Sequence, residues 1–343
     1  MGVKTAILGA TGAVGQEFLT LLDERNFPFE NLKLLASARS AGKTVNFRGE
    51  TLTIEEARPE AFDGVELLLS SAGGSISKAL VPEAVKRGCV VVDNTSAFRM
   101  DPDVPLVVPE VNREAIRLHQ GIIANPNCST IIMVVPLKPI HDRWRVRRVV
   151  VSTYQAVSGA GAKGIDELHQ QIKDIAAGRT PKAGLFPRQI ACNLIARIPQ
   201  SGGLEDGGYL QEEMKMVRET VKIFGDDSVR VTATCVRVPV ARCHSESMNV
   251  ETAEPFALDD VRAALADAEG VTLQDDIAND VFPDPLESAG KDDVFVGRLR
   301  LDNTNPLAMN MWICGDQIRK GAALNAIQIA EVLVKEGLLA VKA

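Results

Sequence analysis

Residues 3–15, VKTAILGATGAVG, decide how this chain is read. Lys4–Leu8 is an apolar, β-branched run that predicts a strand, and Gly12–Leu22 carries a helical pattern. Between and just inside them stand Gly9, Gly12 and Gly15. Glycines at such a turn let the backbone bend tightly and approach a pyrophosphate, whose charge the following helix N-terminus meets. The G-x-x-G-x-x-G spacing is a variant of the commoner fingerprint and by itself also fits a purely structural turn. Its place between a first strand and a first helix favours a dinucleotide site.

The next hundred residues repeat the alternation. Leu32–Ala36, Glu66–Ser70 and Val90–Asp93 read as strands and Ala79–Arg87 as a helix, which predicts a parallel, doubly wound, Rossmann-like α/β sheet. The second strand ends in Ser37, Arg39 and Ser40, with Lys43 just beyond. An NAD site usually places an acid about 20 residues past the glycines to hold the ribose 2′-hydroxyl. No carboxylate stands here, while hydroxyls and a guanidinium suit a 2′-phosphate. The expectation is NADP; the other reading is a solvated basic loop.

From Val146 the texture changes to longer runs such as VRRVVVSTYQAV, SVRVTATCVRVPVA and AMNMWICG. Their alternation predicts an antiparallel sheet with one face covered by helices, interrupted by helices at Ile165–Ala177 and Asp259–Ala268. The closing stretch GDQIRKGAALNAIQIAEVLVKEG reads as an amphipathic helix with Lys and Glu on its wet face. The expected division is an NADP-binding domain of residues 1–127 and 317–343 and an α+β catalytic and dimerisation domain of 128–316.

The 343 residues suffice for two cores. With 38 basic against 45 acidic residues and no basic block, nucleic acid is not an expected partner. No apolar run approaches the ~20 residues a membrane span needs. The chain opens directly into a strand rather than a secretory signal, so a cytoplasmic location is expected. Of six cysteines, Cys89, Cys192, Cys235 and Cys314 lie in apolar stretches and are expected as buried free thiols. The four histidines lack metal-ligand spacing, so no metal site is expected. His119, His141 and His169 lie in charged helical surroundings and read as surface residues.

Cys128 sits in Asn125-Pro-Asn127-Cys128-Ser-Thr130, where an apolar helical run follows polar residues and a proline. A helix start favours the thiolate, the form that attacks an aldehyde or acyl phosphate. The position predicts a thiol at the junction of the two domains. His244, in Arg242-Cys243-His244-Ser245, lies where two strand patterns meet. Its imidazole fits either a proton-transfer role or a hydrogen-bonded structural one.

GATGAVGQ, SAGGS (71–75), DNTSAFR (93–99), NPNCST (125–130), YQAVSGAG (154–161), EEMK (212–215), RVPVARCHS (237–245) and NMWICGDQIRKGAA (310–323) together resemble the aspartate-semialdehyde dehydrogenase family over essentially the whole chain. The resemblance implies Cys128 as the acyl-thioester nucleophile and His244 as acid/base. Gln155 would position the substrate, Arg237 and Glu212 would hold its carboxylate and amine, and Asn127 would contribute to the oxyanion pocket. Arg99 and Lys215 would bind phosphate. Thr11, Gly12, Ala13, Val14, Arg39, Ser40, Ser158, Gly159 and Gln317 would contact NADP. The implied reaction is reductive dephosphorylation of 4-aspartyl phosphate to aspartate 4-semialdehyde and phosphate, feeding lysine, diaminopimelate, threonine and methionine synthesis. The second domain resembles that of glyceraldehyde-3-phosphate dehydrogenases, whose sheets pair, so a homodimer is expected. Two alternatives stand beside this: a related N-acetylglutamyl-phosphate reductase, and a non-catalytic NADP-binding protein. One departure lies at Pro136, inside the helix after Cys128, where a backbone bond is lost and a kink is expected.

Overall fold

A computed structural model describes residues 2–199 and 203–341. The chain divides into two compact units, residues 1–126 with 322–343, and 127–321. Asn127 and residues 317–321 therefore fall with the second unit.

The first unit is built on strands β1 (Val3–Leu8), β2 (Phe29–Ala36), β3 (Thr44–Phe47), β4 (Glu50–Glu56), β5 (Leu67–Ser70), β6 (Val90–Asp93) and β7 (Ile122–Ala124). Their order is β3-β4-β2-β1-β5-β6-β7, parallel except for the β3–β4 hairpin. That hairpin, absent from the sequence reading, is made by short half-exposed runs with a turn at Arg48-Gly49, both at positive φ. The central strands are mostly apolar because helices cover both faces of a parallel sheet; all of β5 and β6 is buried. The chain leaves β1 toward β2 on one side and β5 on the other. The carboxyl end of β1 is thus a topological switch point, where ligands bind in open α/β sheets.

The final helix, Leu324–Lys335, belongs to this unit and is amphipathic as expected, with Lys335 exposed and Glu331 half-buried on its wetter face. Eight of its twelve residues are buried, and its aliphatic side chains join the core of β1 and β2. The residues before it, which the apolar periodicity had swept into one helix, belong to a separate π turn at Arg319–Ala323.

The second unit carries β8 (Val146–Gln155), β9 (Arg230–Arg237), β10 (His244–Thr252), β11 (Val271–Leu273), β12 (Val294–Leu301) and β13 (Ala308–Gly315). Their order is β11-β12-β13-β10-β8-β9. The sheet is mixed rather than antiparallel: β8–β9 and β11–β12 pair in parallel, the other three pairs antiparallel. The helix Gln211–Phe224 carries the chain across from β8 to β9, which a parallel neighbour requires. In β8 and β10 burial alternates, with Val149, Val151, Thr153 and Gln155 covered and Val150, Ser152 and Tyr154 only half-buried.

The helix Cys128–Trp144 runs unbroken through Pro136 and also Pro139, so the lost donors do not end it. Among the described residues, no helix is long and apolar enough to cross a membrane. Two further expectations change. Cys192 is exposed, at φ 60°, whereas Cys89, Cys235 and Cys314 are buried free thiols. His119 and His141 are buried, not superficial. His119 accepts from the Gly121 amide and meets the Leu338 carbonyl through its other nitrogen, while His141 stacks near Phe224. Helical periodicity in charged surroundings did not reveal these partners.

Candidate active site

At the carboxyl end of β1, Gly9 has φ 91°, and a Cβ there would lie 2.5 Å from the Ser71 carbonyl oxygen. A Cβ on Gly15 would come within 2.3 Å of the Gly9 carbonyl. Both positions therefore demand glycine for the turn to close against the helix Ala13–Glu24. Gly12 caps that helix without any side-chain hydrogen bond, so the first-turn amides, with Ala13 and Val14 among them, have no capping side chain to serve. A groove of about 300 Å³ opens here, lined by Gly9, Thr11, Gly12, Ser37, Ser71 and Ile76 among others, with no charged residue. Ser37 and Arg39 are exposed and Ser40 is buried in the turn that closes Ser40 N–H onto the Ser37 carbonyl at 2.8 Å. A glycine cradle, an uncapped helix start and a second strand ending without an acid fit a dinucleotide. Arg99, in the same unit, is buried and donates to the Asn94 carbonyl at 3.0 Å.

The second unit assembles its residues on the covered face of its sheet. Gln155 pairs with Arg237, and His244 with Gly315, forming one row across β9, β8, β10 and β13. Gly315 has no side chain to hold the overlying helix away; a Cβ would sit 2.9 Å from Ile132. That close approach brings the start of the helix Cys128–Trp144 over the row, with Cys128 Sγ 3.5 Å from His244 Nε2.

Asn127 caps this helix, its Oδ1 accepting from the Ser129 and Thr130 amides. Its Nδ2 donates to Glu212 at 2.8 Å and its backbone N–H to Glu219 at 2.6 Å. The amide expected at an oxyanion pocket is thus engaged in fixing the cysteine turn. Glu212 also accepts from Lys215 at 3.0 Å. Burial raises the Glu212 carboxyl, but Lys215, the Asn127 hydrogen bond and Arg237 outweigh it and hold it below the usual range. Arg237 is buried and donates Nη1 to the Ala156 carbonyl at 2.6 Å. Gln155 is buried and bonds Thr153. His244 is fully buried, and burial, with the Arg237 charge beside it, pushes its imidazole down to about 3. Gln317 donates to Ser158 and accepts from the Cys243 amide at 2.8 Å. Gly159 lies against the His244 ring, since a Cβ there would be 3.4 Å from Nε2.

This unit brings Asn127, Cys128, Gln155, Ser158, Gly159, Glu212, Lys215, Arg237, His244 and Gln317 together from six segments. Sequence reasoning missed three participants. Glu219 stands two helical turns from Glu212, a readable spacing. Gly321, whose Cβ would lie 3.0 Å from Cys128 Cβ, was signalled by a glycine inside a helical pattern. Ala156 acts through its backbone and left no signal.

A thiol at a helix start, an imidazole on its sulfur, a buried guanidinium and a glycine-turn dinucleotide fold define an oxidoreductase of the covalent aldehyde type. Residues 4–119 match the family described as semialdehyde dehydrogenase, NAD binding domain, and residues 137–320 the semialdehyde dehydrogenase, dimerisation domain. The aspartate-semialdehyde dehydrogenase of Synechocystis sp. is 54% identical over 98% of this chain and 99% of its own. The crystal structure of aspartate semialdehyde dehydrogenase II from Vibrio cholerae, complexed with ASA, superposes with TM-score 0.95 at 48% identity, covering 98% of this chain and 99% of its own. The Candida albicans enzyme with NADP is 27% identical, TM-score 0.77, over 98% of this chain and all of its own. The chain belongs to the aspartate-semialdehyde dehydrogenase family, NAD(P)-dependent oxidoreductases acting on an aldehyde group.

Proposed function

We propose that this chain reduces 4-aspartyl phosphate to aspartate 4-semialdehyde, with release of phosphate, through a thioester on Cys128. The observation that carries this reading is Cys128 Sγ at 3.5 Å from His244 Nε2, at a helix start capped by Asn127. The full-length likeness to aspartate-semialdehyde dehydrogenases selects the substrate over the N-acetylglutamyl alternative. The intact thiol–imidazole pair argues against a non-catalytic binding protein.

In this reading the Cys128 thiolate displaces phosphate from the acyl carbon, and His244, in its expected acid/base position, serves the sulfur and the bound acyl oxygen. Buried Arg237 supplies a fork for the substrate carboxylate and Glu212 a carboxylate for its amine. Gln155 orients the chain between them. Arg99 and Lys215 are assigned to phosphate. Gly9, Thr11, Gly12, Ala13, Val14, Ser37, Arg39, Ser40, Ser158, Gly159 and Gln317 are assigned to NADP. The bound cofactor supplies or removes a hydride at the acyl carbon. Serine hydroxyls and Arg39 in place of an acid after β2 support NADP over NAD, as does the NADP in the Candida albicans relative. Arg39→Ala should raise the Michaelis constant for NADP and barely change that for NAD.

The second unit is assigned to homodimer formation. The match to a dimerisation domain supports this, as does the half-buried sheet face that carries Tyr154 against Trp312. Light scattering should return twice the chain mass. The activity is tested by NADPH formation from aspartate semialdehyde, with and without phosphate. Strict phosphate dependence is expected; equal rates with water alone would contradict the acyl-phosphate route.

A further inference from the structure

Both oxygens of the Glu212 carboxylate are engaged in the ligand-free chain. One accepts from Asn127 Nδ2 at 2.8 Å and the other from Lys215 Nζ at 3.0 Å. The two partners differ in how easily they can leave. Asn127 also caps the helix Cys128–Trp144 through its Oδ1, and its N–H is held by Glu219. Its departure would unmake the cysteine turn. Lys215, one helical turn beyond Glu212, has a flexible stem and a side chain 25% exposed. It is the partner free to move.

Glu212 itself cannot be left alone. Burial opposes its charge, and Lys215, Asn127 and Arg237 together outweigh that cost. A buried carboxylate stripped of its nearest cation bears the desolvation penalty uncompensated. Lys215 can therefore turn to a phosphate only when another cation takes its place.

We propose that this cation is the substrate's own ammonium: it displaces Lys215 from Glu212, and the released Lys215 closes on the phosphate. This rests on the roles given above to Glu212 and Lys215 and couples them. Amine and phosphate then recruit each other, and by linkage each raises the affinity for the other by the same factor. Before the aspartyl group is in place, the Glu212–Lys215 pair keeps the phosphate cation occupied. A substrate with the same chain and carboxylate but no amine leaves Lys215 where it is. The amine is thus read twice, once in binding and once at the phosphate step. In that step a phosphate oxygen forms the C–O bond to the acyl carbon as the C–S bond breaks and its electron pair returns to sulfur.

One test compares two acyl-enzymes of the wild-type chain, made with NADP from aspartate 4-semialdehyde and from 4-oxobutanoate, which lacks the amine. Phosphate should discharge the aspartyl thioester about 10- to 100-fold faster than the succinyl thioester, the worth of a hydrogen bond to a charged group. Hydroxylamine, a neutral nucleophile, should discharge both at similar rates. Lys215→Ala should bring the two phosphate rates together. Equal phosphate rates in the wild type, the same preference with hydroxylamine, or a preference that survives Lys215→Ala would overturn the proposal.

A second test needs no substrate. Calorimetry with inorganic phosphate and the NADP-loaded chain should show tighter binding to Glu212→Gln than to wild type, because Lys215 is no longer held. On a Lys215→Ala background the gain from Glu212→Gln should vanish, which separates release of Lys215 from simple loss of a repelling charge. Unchanged or weaker binding in Glu212→Gln, or a gain that persists without Lys215, would overturn the proposal. Formation of the aspartyl thioester tests the underlying reading separately. If it forms and phosphate discharges it while the amine makes no difference, only this inference falls.

Discussion

The carboxyl end of β1 and the covered face of the second sheet solve opposite problems. The first is a groove lined by small and aliphatic residues with a few hydroxyls, with no charged side chain and with backbone amides at its helix start. The second buries Glu212, Arg237, His244 and Glu246 on or against one sheet face. A site made of backbone recognises by shape and tolerates little added volume. A site made of buried charge recognises by pairing, so losing one partner leaves another exposed to the full cost of burial.

The largest effect tests whether the two sites are separable. Cys128→Ala should abolish turnover, because the covalent route vanishes, while calorimetric affinity for NADP stays unchanged. Lost cofactor binding in a folded variant would break the comparison. Next, Arg237→Lys keeps the charge and loses the fork that bonds the Ala156 carbonyl. A drop of roughly 10- to 100-fold in kcat/KM for the semialdehyde is expected, with KM for NADP unmoved. Full activity would show that charge alone suffices on that face.

On the other side, Gly15→Ala forces a methyl against the Gly9 carbonyl. It should cost about 1–3 kcal/mol of stability and weaken NADP binding, yet leave Cys128 alkylation at its wild-type rate. A neutral result in thermal melting would mean the turn is not held by volume.

The smallest effect concerns Glu246, fully buried with neither carboxyl oxygen hydrogen-bonded among the described residues. Burial, with Cys314 nearby, raises its carboxyl well above the ordinary range. The folded state therefore keeps a proton that the unfolded chain releases above about pH 4.3, and stability drains away as pH rises from there. Glu246→Gln removes that loss. Its melting temperature relative to wild type should climb between about pH 5 and 8. A constant difference would show the carboxyl to be ionised or solvated.

The contrast also explains what could be read in advance. The β1 turn is local: strand, glycines and helix lie within residues 3–24, and each glycine marks a backbone demand. The thiol and imidazole that meet at 3.5 Å were legible as candidates in NPNCST and RCHS. Their supports were less so, because Gly315 acts through absent volume, Ala156 through a peptide group and Glu219 by accepting from a backbone amide on a distant segment. The mixed sheet was missed because alternation reports which face is covered, not the direction of the neighbour. The last helix was read too long, because the apolar periodicity runs on through the π turn at Arg319–Ala323 that precedes it.

The account stands most directly on the acyl-enzyme. Wild-type enzyme given NADP and aspartate semialdehyde without phosphate should produce a stoichiometric burst of NADPH and then stall. Rapid acid quench and peptide mass mapping should find the aspartyl group on Cys128, and added phosphate should discharge it. NADPH formation with no adduct, an adduct on another residue, or an adduct that phosphate leaves untouched would contradict the thioester mechanism.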